Sequence, residues 1–272
     1  MELIELVRKD RLKSMERFWL GLLSFYFRIE IEGLENIPKK GPALITPNHS
    51  GFAGADAVLL TFVLKRETKR RARILAHRAF FDFSETLKAI SESHGMAKAT
   101  VAGGADMLAK GHLVILFPEG ETGNFKPTYR RYQLQRFHTG FLRMAITEKA
   151  PVIPCVVLGA EESHLNFGNI NFERIVKGLR IPLPLNFIPL PAKWRITFLP
   201  PIDLSHITLG VEGIDDTYTL RREALMIQRK MQREIRRRLK KREYIYFREG
   251  RKFLDRVEGV IAKGIRAIKE RE

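Results

Sequence analysis

The stretch PALITPNHSGFAGADAVLL, Pro42 to Leu60, decides the fold. PALIT, Pro42 to Thr46, is a short apolar run of the kind that forms a buried strand, and GADAVLLTFVL, Gly54 to Leu64, has the composition of the helix that follows one. Between them lies a turn holding one histidine, His49, with an aspartate, Asp56, seven positions on. A strand, a polar turn and a helix in this order are the unit from which parallel α/β sheets are built.

Working outward, the same alternation continues. RIEIEG, Arg28 to Gly33, alternates as a strand should, RILA is a second strand candidate, and HLVILF, His112 to Phe117, is a continuous apolar run suited to a central parallel strand. SETLKAISES and ATVAGGADMLAKG are helical in pattern, a long helix is expected over roughly Tyr132 to Lys149, and VIPCVVLG and WRITFLPPI supply late strands. The predicted fold class is therefore α/β: a single, mostly parallel central sheet covered by helices on both faces. LRIPLPLNFIPLP, Leu179 to Pro191, departs from this pattern, because its prolines forbid a regular helix or central strand; it predicts an apolar surface loop.

The two ends differ from the middle. Residues 1–28 predict N-terminal amphipathic helices. Within them FWLGLLSFYF, Phe18 to Phe27, is too short to cross a bilayer; it suits a helix lying in the membrane interface, and equally a buried core helix. Residues 29–215 form the expected central α/β domain. Residues 216–272 predict basic C-terminal helices, the first running through REALMIQRKMQREIRRRLKKR and the second over about Glu249 to Lys269. No secretory leader or membrane-spanning segment is expected.

The chain has 272 residues, a length that fits one large domain with helical extensions, and carries a formal charge of +17. Such a charge selects anionic partners, a phospholipid surface, nucleic acid or an acidic cofactor. The single cysteine, Cys155, lies in an apolar run, so an internal disulfide is impossible; a core thiol in a reducing compartment is expected. Histidines 77, 94, 112, 138, 164 and 206 lack metal-ligand spacing, and no bound metal is predicted. The absence of a G-x-S-x-G elbow weighs against a serine hydrolase and makes Ser50 a turn hydroxyl.

His49 follows one apolar strand, and Glu119, in FPEGETG, follows another, so both belong beyond the carboxyl ends of the strands, where open sheets gather ligands. An imidazole there accepts a proton at neutral pH, and a carboxylate on its other nitrogen fixes its tautomer. Were residues 49 to 56 one helix, seven rises of about 1.5 Å would hold His49 and Asp56 roughly 10 Å apart. A working pair therefore requires a loop that folds back, which Gly51 and Gly54 permit.

NHSGFAGAD, then ILFPEGE about sixty residues later, then APVIPCVVLGAEE, resemble in order and spacing the motifs of the glycerolipid acyltransferases, the superfamily of 1-acylglycerol-3-phosphate and related lysophospholipid acyltransferases. The resemblance spans roughly Ile31 to Ile202, and PAKWRITFLPPID resembles the closing strand of that domain. It implies that His49 is the catalytic base and Asp56 its charge-relay partner. Phe117, Pro118, Glu119 and Gly120 match the block on the acceptor side, and Val152 to Pro154 match the block near the acyl chain. Six residues separate His49 from Asp56 where the family usually has four, as in a bacterial branch that begins NHSG. The arginine of the family's second motif is replaced at GMAKAT by Lys98, and Glu121 follows FPEG in place of a small hydroxyl residue and arginine. Lys126, Arg130 and Arg131 either take over phosphate binding or are solvated, with an acceptor that carries no phosphate.

The expected function is transfer of a fatty acyl group from acyl-coenzyme A or acyl carrier protein to a lysolipid hydroxyl, foremost 1-acyl-sn-glycerol 3-phosphate, at the cytoplasmic face of the cell membrane. The acyl thioester is a co-substrate, and no further cofactor is implied. The partners expected are an anionic phospholipid surface, the lysolipid and the acyl donor. A neutral glyceride, a glycolipid or a long-chain alcohol is the alternative acceptor. A basic nucleic-acid-binding protein is the rival class; no nucleic-acid fold signature accompanies the basic helix, so nucleic acid is not expected as a partner.

Overall fold

The structure, a computed structural model, describes residue 18 and residues 21–49, 54–77, 79–82, 84–93, 95–124, 126–171, 180–207, 209 and 216–247. The greater part of the N-terminal helical segment, the helix expected over Glu249 to Lys269, and Ser50 and Gly51 of the turn lie outside these residues.

A seven-stranded sheet in the order β1-β9-β6-β2-β5-β3-β4 forms the centre. Its strands are β1 (Glu30–Glu32), β2 (Ala43–Pro47), β3 (Ala72–Ala76), β4 (Met96–Lys98), β5 (Leu113–Ile115), β6 (Val152–Leu158) and β9 (Arg195–Phe198). Strands β6, β2, β5, β3 and β4 run parallel. β9 pairs antiparallel to β6, and β1 pairs parallel to β9, so the two strands at one edge run against the rest. The sheet is thus mostly parallel, as the alternation of strands and helices requires.

Both faces are covered. Because side chains alternate along a strand, Leu44, Val114 and Val156 turn to one side. They pack there with α4 (Val101–Ala109), α6 (Gly140–Thr147) and α8 (Asp216–Lys240). Ala43, Ile45, Leu113, Ile115, Ile153 and Cys155 turn to the other side, against α1 (Ala55–Thr68), Phe27 and Trp194. Burial pushes the Cys155 thiol far up, which keeps it protonated and inert. Phe27 is part of this core, and the Tyr26 hydroxyl donates to the Pro189 carbonyl at 2.7 Å. The C-terminal end of the Phe18 to Phe27 stretch therefore packs inward.

Two sequence expectations are corrected. The helix expected over Tyr132 to Lys149 is confined to α6, Gly140–Thr147, and residues 133–138 form an irregular strap. Tyr132 adopts a left-handed φ of 63°, and the backbone N–H groups of Tyr132, Leu134 and Gln135 donate to the side chains of Glu161, Gln232 and Glu119. Donors engaged by side chains are lost to a helix ladder. The second correction concerns Leu179 to Pro191. Arg180–Pro184 forms a strand, β8, paired antiparallel with β7 (Asn166–Asn171) in a separate two-stranded sheet. Prolines are tolerated there because a two-stranded ribbon consists of edge strands. Past it, Leu185, Phe187 and Ile188 are exposed, as the loop reading anticipated.

Candidate active site

Register brings the two motifs together. Ala43, Leu44 and Ile45 of β2 face Leu113, Val114 and Ile115 of β5. The offset is 70 residues (113 − 43), and it places His49 opposite Glu119 (119 − 49) just beyond the strand ends. On the other flank, Asn48 is fully buried. Its amide donates to the Val157 carbonyl at 3.0 Å and accepts from the Val157 N–H at 2.7 Å, tying the turn to β6. Satisfying both ends of a buried amide fixes the backbone from which His49 projects.

His49 and Asp56 do meet. His49 Nδ1 lies 2.7 Å from Asp56 Oδ2, with the His49 side chain 14% exposed and that of Asp56 1%. Gly54, at φ 72°, leads into α1, and Asp56 sits in its first turn, where the helix dipole favours a carboxylate. Asp56 Oδ1 accepts from the Ala57 N–H at 2.8 Å, so the carboxylate is oriented from behind. An ionised Asp56 requires the proton on Nδ1, leaving the lone pair on Nε2 to take a proton. The Phe117 ring stacks on the imidazole with centroids 4.0 Å apart, holding the ring plane.

Glu119 is completely buried. Its Oε1 accepts from the His49 N–H at 3.0 Å and its Oε2 from the Gln135 N–H at 2.7 Å. Gly123 packs under it: an added Cβ would lie 2.5 Å from Glu119 Cβ and 3.0 Å from His49 Cβ, so only glycine fits. Lys126, also buried, lies 3.4 Å from Glu119 Oε2 and 3.2 Å from Glu161 Oε1. Burial works against its charge, but the two carboxylates outweigh that and hold its pKa above the ordinary lysine value. Two carboxylates thus share one ammonium. Burial pushes Glu161 up to about 7, against the pull of Lys126 and the Tyr132 N–H. The Tyr132 hydroxyl donates to Glu162, whose other oxygen accepts from Arg242 at 2.7 Å.

A carboxyl whose folded pKa stands above the unfolded value binds more protons when folded, so stability falls as pH rises from about 4.5 to about 7. Glu161→Gln is expected to flatten that slope. Urea unfolding midpoints of both proteins between pH 4.5 and 8 check this, and parallel curves would remove Glu161 as the source.

Of the other residues singled out in the sequence, Pro118 is buried and its carbonyl accepts from the His138 N–H at 2.9 Å. Gly120 makes the turn at φ 58°. Pro154 lies inside β6 opposite Thr46; its carbonyl accepts from the Leu199 N–H, so its donor-less nitrogen faces the end of the β9 ladder. Lys98 is about half exposed and pairs with Asp82 at 2.6 Å on the surface, whereas the Lys126 ammonium is engaged internally and is not presented to a phosphate. Arg130 and Arg131 are exposed on the turn after Thr128, with Arg130 over the Tyr129 ring. Asn48, Gly123, Gln135 and Glu161 are contributors that the sequence reading passed over. Asn48 and Glu161 stood inside quoted motifs, whereas Gln135 acts through its backbone, which leaves no residue-type signal.

An acyltransferase family model matches residues 28–158. An uncharacterised protein of Mycobacterium tuberculosis is 38% identical over 192 residues, 65% of this chain and 52% of that protein. The human DGAT1/2-independent enzyme synthesizing storage lipids is 27% identical over 202 residues, 70% of this chain and 58% of that one. The chain spans about half the length of these curated relatives. Among solved structures, the 1-acyl-sn-glycerophosphate acyltransferase PlsC of Thermotoga maritima superposes with a TM-score of 0.53 at 19% identity, covering 82% of this chain and 80% of that one. This likeness establishes the fold.

Proposed function

We propose that this chain, which an acyltransferase family model matches over residues 28–158, transfers a fatty acyl group from an acyl thioester, on coenzyme A or acyl carrier protein, to the hydroxyl of a lysolipid. The observation that carries this reading is the 2.7 Å contact between His49 Nδ1 and Asp56 Oδ2 at the carboxyl end of β2. Nε2 takes the acceptor's hydroxyl proton as its oxygen attacks the thioester carbonyl. Asp56 stabilises the imidazolium that forms. The tetrahedral adduct then expels the thiolate, the C–S bond breaks, and the imidazolium returns its proton to sulfur. No acyl-enzyme is formed; orientation and proton removal supply the acceleration.

The acceptor proposed first is 1-acyl-sn-glycerol 3-phosphate, its phosphate held by the exposed guanidinium groups of Arg130 and Arg131. The enclosure of Lys126 between Glu119 and Glu161 favours a second reading, an uncharged glyceride acceptor, in line with the storage-lipid name of the human relative. A mass-spectrometric assay with palmitoyl-coenzyme A or palmitoyl-acyl carrier protein as donor, and lysophosphatidate, other lysophospholipids, diacylglycerol and fatty alcohols as acceptors, separates them. No product from any acceptor with either donor type would overturn the proposal.

The protein works, in this reading, on an anionic cytoplasmic membrane face. Among the described residues no helix is long and apolar enough to cross a membrane. Phe167, Leu183, Leu185, Phe187 and Ile188 are exposed on the β7–β8 hairpin and the segment after it. Such a cluster on a chain of charge +17 suits an apolar contact with an anionic bilayer. A buried side chain of this kind contributes about 1.5–3 kcal/mol. Phe187→Asp with Ile188→Asp is therefore expected to weaken binding to phosphatidylglycerol vesicles at least about tenfold. Unchanged sedimentation with vesicles would remove the hairpin from the membrane contact.

A further inference from the structure

The long helix α8 lies beyond the residues that the acyltransferase family model matches. Its buried face, Leu220, Ala224, Ile227, Met231 and Ile235, docks it on the sheet. One turn apart on the same helix, two glutamines grip the strap 133–138. Gln232 Oε1 accepts from the Leu134 N–H at 2.9 Å, and its Nε2 donates to the Tyr132 carbonyl at 2.8 Å. Gln228 Nε2 donates to the Leu134 carbonyl at 3.2 Å and the Gln135 carbonyl at 2.8 Å. Four backbone groups of an irregular segment, which neither a helix nor a strand ladder satisfies, are thus satisfied by one helix face.

What the strap does in turn is hold the site. The Gln135 N–H donates to Glu119 Oε2, and Glu119 Oε1 receives the His49 N–H. We infer that Gln228 and Gln232 are positioning residues for His49: the C-terminal helix sets the catalytic imidazole through the strap and Glu119. Without the glutamines the strap's backbone turns to water, and Glu119 loses the neutral donor that orients its second oxygen. Its carboxylate then swings toward Lys126, and the His49 backbone loses its anchor. The apolar docking of α8 is untouched by this, so fold and site are separable.

The inference rests on the proposed acyl transfer only for its kinetic arm. In the full chain, Gln228→Ala with Gln232→Ala is expected to speed hydrogen exchange of the His49 and Gln135 amides, read by nuclear magnetic resonance, about tenfold. The amides of Ile45 and Val156, in β2 and β6, should stay within about twofold. kcat should fall about 10- to 100-fold with KM for donor and acceptor nearly unchanged, since misplacement of a base affects the chemical step. In a Glu119→Ala background the same pair should add little, because the path is already cut. Unchanged exchange at His49, or an equal rise across β2 and β6, would overturn the inference, as would full additivity with Glu119→Ala. A wild-type protein that acylates nothing would overturn the proposed function instead, while the exchange data still decide this point.

Discussion

His49→Ala is expected to lower kcat by about 10²- to 10⁴-fold, the range that a positioned general base contributes. The substitution leaves the backbone N–H that Glu119 holds and the Asn48 anchor in place, and it removes a ring that is still partly open to solvent. Its effect on stability should therefore be small, within about 1 kcal/mol, the common size for a change that opens no deep cavity. Turnover of palmitoyl-coenzyme A, measured beside a urea unfolding curve, checks both halves. Activity that fell only in proportion to folding would make His49 a structural residue, and retained turnover would remove it as the base.

The second large effect is expected from Asp56→Asn, and its direction follows from which oxygen is engaged. Oδ1 accepts from the Ala57 N–H, so an asparagine keeps its carbonyl there and presents its NH₂ to the imidazole. That NH₂ donates to Nδ1, which forces the ring proton onto Nε2, the atom that must accept. A loss of about 10³- to 10⁴-fold in kcat is the expected outcome, as for other bases whose carboxylate partner is made an amide. Nitrogen chemical shifts of His49 should report the exchange of tautomers. An unchanged rate would remove the relay assignment, and a lowered rate with an unchanged tautomer would assign Asp56 a purely electrostatic part.

Both predictions concern residues that local sequence singled out, and the reason lies in how the motif works. An apolar strand, a glycine-bearing turn and the first turn of a helix are each encoded within a few residues. A histidine and an aspartate at the two ends of such a turn meet only where it folds back, which the glycines permit and the family resemblance implied. Phe117 and Glu119 were legible for a related reason, since they follow a second apolar run whose parallel pairing with the first sets a common register.

Lys126 shows where such legibility stops. As a cation near the acceptor motif it read as either a phosphate ligand or a solvated charge, yet its ammonium is enclosed between Glu119 and Glu161. Nothing local distinguishes an exposed lysine from one that balances two buried carboxylates, because the second carboxylate arrives from 35 residues away. The strap 133–138 is a similar case. Its apolar and polar spacing suits a helix, but side chains from Glu119, Glu161 and α8 take the backbone donors that a helix would need.

The pairing of His49 with Asp56 was implied by the family resemblance; the sequence by itself determined the α/β class, the strand that leads into His49 and the place of Glu119. These depend on periodicity and turn chemistry within short windows. Only the tertiary structure decided that the β1–β9 edge runs against the rest and that Lys126 neutralises the interior. It alone showed that Gln228 and Gln232 of α8 bond the backbone of the strap whose Gln135 N–H donates to Glu119. Each of these depends on which distant groups meet when the apolar faces are buried, and burial makes unpaired charges and backbone donors costly enough to choose their partners across the whole chain.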